Sequence, residues 1–137
     1  GRLKIMAFGF LTRSLLSGIF VVAGSDAAKE PGPRTAVAQK FMKQCNIELD
    51  DTEAATLVQL NGGTMALAGG ALALGIFPRL SALTLASSLA ATTVAGHAFW
   101  NEEEEAARSM HKIQFLKNLG LIGALLAIVL GGKKRKR

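Results

Sequence analysis

Apolar residues fall into four long blocks separated by short polar and charged segments. Residues 54–77, AATLVQLNGGTMALAGGALALGIF, carry no charge, and Pro78-Arg79 ends them. Residues 80–100 carry His97 as their one ionisable group, and residues 113–131 carry Lys117 before a basic tail at 132–137. A helix that crosses a bilayer needs about 20 predominantly apolar residues, so each of these blocks predicts one span. The first block, residues 5–25, is interrupted by Arg13. A charge at mid-bilayer costs on the order of 3 kcal/mol on insertion scales. Arg13 is therefore expected at the inner interface, where its stem can snorkel. The first span then covers about 10–27, with residues 1–9 along the surface. A cleaved signal peptide is the rival reading, but no small-residue cleavage pattern precedes Asp26, which favours a retained helix.

Residues 28–53 connect the first two spans. Pro31, Gly32 and Pro33 in KEPGPR predict a turn. In RTAVAQKFMKQC, Val37, Phe41, Met42 and Cys45 share one helical face, with Lys40 and Lys43 opposite. That pattern predicts a short amphipathic helix on the outer membrane surface; a helix capping the bundle fits it equally. Asp50 followed by Glu53 reads as a capping box opening the second span. The expected fold is all-α, a four-transmembrane-helix bundle in one domain. Small residues at a period of four would let neighbouring helices approach: Gly62, Ala66 and Gly70; Ser88, Thr92 and Gly96; Gly123, Ala127 and Gly131. No span has the continuous polar stripe of a wide aqueous pore.

Composition agrees. Half of the 137 residues are hydrophobic and only 19% are charged. A formal charge of +6 raises the question of nucleic acid, but five of the sixteen basic residues are the last five. A KKRKR tail beside an apolar helix reads as a membrane-surface anchor, so no nucleic-acid partner is expected. Four spans put both termini on one side. With the termini inside, Arg2, Lys4, Arg79 and the tail face the cytoplasm, and all ten acidic residues fall outside.

Five polar residues within the spans then sit in the outer half of the membrane: Asp26, Asn61, His97, Lys117 and Asn118. Intramembrane ionisable groups usually face the bundle interior and pair, so a cluster joining these residues is expected. It serves either as interhelical glue or as a small-ligand or proton-linked site. Phe99 and Trp100 read as an interfacial aromatic belt, and Glu102 to Glu105 as a solvated loop. Cys45 is alone, which excludes an internal disulfide or a Cys-x-x-Cys redox pair. His97 and His111 lack further ligands at metal or haem spacings, so neither a metal nor a resident cofactor is predicted; a quinone is the one cofactor the polar cluster leaves open.

Four stretches carry a family resemblance: RSLLSGIFVVAGSDAAKEPGPR at 13–34, NGGTMALAGGALALGIFPRLSAL at 61–83, TTVAGHAFW at 92–100 and QFLKNLGLIGALL at 114–126. In order and spacing they resemble the DoxX family of small bacterial membrane proteins. The resemblance implies a four-helix protein of the plasma membrane, associated with membrane oxidoreductase assemblies, thiol stress and thiosulfate–quinone chemistry. Asn61 departs from the acid that many relatives carry there, which weakens any transfer of proton chemistry to that helix. The leading expectation is an accessory subunit of a larger respiratory or oxidoreductase complex, without catalytic activity of its own and in contact with lipid and either that complex or its own copies. A quinone- or thiol-linked oxidoreductase component using the polar cluster is the alternative, and a small-molecule or ion transporter the second.

Overall fold

The computed structural model describes residues 2–97 and 99–131, with side chains for 4, 9–97 and 100–131. The basic tail 132–137 and the Phe99 side chain, both singled out from the sequence, lie outside the described parts. The described residues form five α-helices and one 3₁₀ turn: α1 (Arg2–Lys29), α2 (Arg34–Gln44), α3 (Asp51–Leu74), α4 (Pro78–Gly96), the 3₁₀ turn Phe99–Asn101, and α5 (Glu105–Gly131).

Among the described residues three helices are long and apolar enough to cross a membrane, α1 over Gly9–Lys29, α3 over Asp51–Leu74 and α5 over Glu105–Gly131. The 19-residue α4 does not reach that apolarity, because Ser81, Thr84, Ser87, Ser88, Thr92 and Thr93 dilute it. Several of those hydroxyls are turned back onto the backbone. Thr84 donates to the Leu80 carbonyl at 2.9 Å, and Thr92 to that of Ser88 at 3.0 Å. α4 is also the most enclosed helix, with Ser81, Ala82, Leu85, Ala86, Ser88, Leu89 and Thr93 buried between α3 and α5. A helix surrounded by its neighbours needs less apolar surface than one facing lipid. α5 is the opposite case: only Leu125 is buried, and Ile113, Leu116, Leu119, Leu126 and Leu130 are exposed.

Helix boundaries differ from the apolar blocks where helicity and hydropathy part company. α1 continues unbroken from Arg2 through Arg13, so residues 2–9 belong to the same helix as the first apolar block. α5 starts at Glu105, eight residues before its apolar block, because Glu105, Ala106, Ala107, Arg108, Met110 and Lys112 are good helix formers. The capping box is present: Glu53 N–H donates to Asp50 Oδ1 at 2.7 Å, and Asp50 N–H to Glu53 Oε1 at 3.0 Å. α2 closes with Asn46 at φ 64°, its N–H on the Lys43 carbonyl and that of Ile47 on the Met42 carbonyl. This is the paired-bond ending that a left-handed residue after a helix provides. Gly75 at φ 75° ends α3 in the same conformation.

Packing runs in the order α1, α3, α4, α5, with α2 laid against α3 and α4. α1 and α3 meet backbone to backbone at Gly24, Gly62 and Ala66. The seam continues at Gly69, which faces Ser17, Phe20 and Val21, and not at Gly70, around which the space is open. Gly96, Gly123 and Gly131 also face open space, so these glycines make no close helix contact, whereas Ser88 of the α4 series is buried and bonded to Asn61 of α3. Phe20, Met65, Leu72, Ala82, Leu85, Ala86, Leu89 and Leu125 make one core near the Gly75 turn.

Two arginines close that end. Arg79 Nε donates to the Val129 carbonyl at 2.9 Å, satisfying an acceptor in the last turn of α5. The half-buried Arg13 turns its guanidinium toward Gly75, beside the C-terminus of α3, where a helix dipole favours a cation.

Candidate functional site

At the other end of the bundle, residues of all five helices line a cavity of about 710 Å³. Its apolar floor is the upper surface of the core: Phe20 from α1, Met65 from α3, Leu89 from α4 and Leu121 from α5. α2 forms a cover, presenting Val37, Ala38, Phe41 and Met42 to the cavity. α2 is held in place through Gln39, whose amide donates to the Leu49 carbonyl and to Asp51 Oδ1 at 2.9 Å. Arg34, Asn61, Thr92, His97, Gln114, Lys117 and Asn118 supply the polar part of the wall, and no Asp or Glu is among the lining residues.

Four of the five polar residues singled out from the sequence therefore share one cavity. Asn61 accepts from the buried Ser88 hydroxyl at 2.7 Å, tying α3 to α4. Asn118 donates to the buried Thr93 hydroxyl at 3.0 Å, tying α5 to α4. Lys117 is exposed and makes no hydrogen bond or ion pair among the described residues. Asp26 stands apart. Its side chain is exposed and does not line the cavity, while the next residue, Ala27, turns inward against Gly62. The expected join of Asp26 to Lys117 is not among the described ion pairs. Trp100 is half-exposed and meets the Phe115 ring edge-on at 5.6 Å between centroids.

His111, weighed with His97 only as a metal or haem ligand, is not among the residues expected in the polar cluster. Its Nδ1 lies 3.1 Å from Nδ1 of His97, and its Nε2 lies 3.8 Å from Glu102 Oε1. At 3.1 Å the two nitrogens are within hydrogen-bond distance, and a bond between them needs one ring to donate and the other to accept. A signal for it was present. In an antiparallel helix pair, residues at equal distance from the connecting turn come to the same level, because both helices rise about 1.5 Å per residue. His97 and His111 are symmetric about Glu104, as are Arg79 and Val129, which also meet.

Among the described residues no group of three or more His, Cys, Asp or Glu side chains could hold a metal ion. The cavity fits an amphiphile better. Its volume lies within the range of about 300–1,000 Å³ usual for small-molecule pockets, its floor is apolar, and its wall offers N–H donors from His97, Lys117 and Gln114 to an electron-rich head group.

Fold and site thus define a helical membrane protein with a ligand-sized cavity at one end. The family model named DoxX matches residues 8–98, and the chain belongs to that family. The match covers most of α1 and all of α2, α3 and α4; α5, which brings His111, Lys117 and Asn118, lies beyond it. No curated protein and no solved structure matches the chain.

Proposed function

We propose that this chain crosses the bacterial plasma membrane four times with both termini in the cytoplasm, and holds a quinone-class amphiphile in the outer half of the bundle on behalf of a redox complex. The cavity carries the reading: an apolar floor for a ring or tail and a carboxylate-free polar wall for carbonyl oxygens. Quinone carbonyls only accept hydrogen bonds, and the wall is rich in donors. The charge pattern supports the orientation, since the acids gather at the α2 end. α4 serves as the fourth span: Thr84 and Thr92 return their hydroxyls to the helix backbone, Ser88 and Thr93 bond side chains of α3 and α5, and its outer face carries the exposed Leu80, Leu83 and Val94. The redox association rests on the family resemblance.

Binding of a short-chain ubiquinone to the protein in lipid nanodiscs tests the reading. Saturable binding is expected, and Ala95→Phe, which fills the cavity, should weaken it at least tenfold with little change in thermal stability. Native protein that takes up no more ubiquinone than empty nanodiscs do would count against it. The accessory-subunit reading draws on a different observation, the almost wholly exposed apolar face of α5. Retention of a partner through purification in mild detergent supports it, and migration alone counts against it.

A further inference from the structure

Beside the main cavity lies a smaller pocket of about 170 Å³, lined by Lys40, Gln44, Gly96, Asn101, Glu102 and His111 among others. His97 lines the main cavity and not the small pocket; His111 lines the small pocket and not the main cavity. Their Nδ1 atoms are 3.1 Å apart, so the two imidazoles bridge the two spaces. Glu102, on the far side of His111, is partly exposed and 3.8 Å from its Nε2. From the small pocket inward, the order is carboxylate, imidazole, imidazole, cavity.

We propose that Glu102, His111 and His97 form a proton relay from the small pocket to the main cavity, serving a bound molecule that gains or loses protons. The inference rests on the main cavity being a ligand site. The step balances without any co-reactant. His111 starts with its proton on Nδ1, shared with Nδ1 of His97, and His97 carries its own proton on Nε2. A proton arriving from Glu102 or pocket water binds Nε2 of His111. The Nδ1 proton of His111 crosses to Nδ1 of His97, and the Nε2 proton of His97 leaves into the cavity. Each ring stays neutral before and after, with its tautomer exchanged. Two imidazolium rings cannot face each other through these nitrogens, since each would present a donor. Lys117 and Arg34 face the main cavity, and Lys40 and Glu102 face the small pocket.

Nitrogen-15 NMR of the histidines in the folded, ligand-free protein tests the link itself. A coupling between the two Nδ1 nuclei across a shared proton is expected, unchanged by EDTA. Independent tautomers, or a spectrum altered by EDTA because a metal ion bridges the rings, would overturn the relay. With short-chain ubiquinone filling the cavity, exchange of the His97 ring protons with water should proceed through His111. His111→Phe should slow that exchange at least tenfold while leaving ubiquinone affinity within about twofold. Glu102→Gln, which keeps both rings, should slow it by a smaller factor. Unchanged exchange in both variants would overturn the relay. If ubiquinone fails to bind, the cavity reading fails, and the ligand-free coupling still decides whether the histidines are joined.

Discussion

A β-carbon at Gly24 would lie 2.5 Å from the Gly62 carbonyl oxygen, and one at Gly62 would lie 2.7 Å from that of Gly24. Backbone atoms cannot step aside as a flexible side chain can, so Gly24→Ala should destabilise by about 1–3 kcal/mol or more, the scale of overpacking. Gly70→Ala and Gly123→Ala add a methyl to open space and should be neutral or stabilising, by up to about 1 kcal/mol, the helix-propensity gain of alanine. Unfolding in mixed detergent micelles checks both; equal costs at Gly24 and Gly70 would contradict the assigned seam. The period of four was legible in the sequence, but periodicity cannot say which small residue meets a neighbour. Gly69, one position off the expected series, carries the contact, and no spacing rule distinguishes it from Gly70. The same limit applies to Asp26, whose polarity was plain and whose exposed position was not.

Single helices were easier to read than their ends. Asp50 and Glu53 were legible as a cap because their chemistry is local, and both reciprocal bonds form. Asp50→Ala should cost about 0.5–2 kcal/mol. Because Gln39 links α2 to Asp51 directly beside that cap, the loss should appear as faster amide exchange in α2 as well as in the first turn of α3. Faster exchange in α3 alone would show that the cover is anchored elsewhere. Apolarity marks residues 113–131 and says nothing of Glu105 to Lys112, which form helix without it. His111 sits in that stretch, outside the apolar blocks from which the polar cluster is drawn. α4 reads as an apolar block despite its hydroxyls, two of which, on Thr84 and Thr92, bond the helix backbone.

Sidedness belongs to the molecule as a whole, and a native reporter exists. Cys45 is exposed at the end of α2, and it is the sole cysteine of the chain. A membrane-impermeant maleimide added to intact cells, with the cell wall made permeable, should label it to the same extent as in lysed cells. Labelling only after lysis would invert the proposed orientation.

The backbone contact between α1 and α3 has a mechanical corollary. Those two helices touch through atoms that cannot yield, along a line from Ser17 and Gly69 to Gly24 and Gly62. They form one stiff wall of the cavity. The opposite wall is built from side chains of α4 and α5, held by single hydrogen bonds such as Asn118 to Thr93, and the cover rests on Gln39. A guest that needs more room than the resting cavity offers must gain it there, as an object in a vice moves the screwed jaw and leaves the cast one still. The histidines ride on the moving side, so admission of a guest and alignment of the proton path share one displacement.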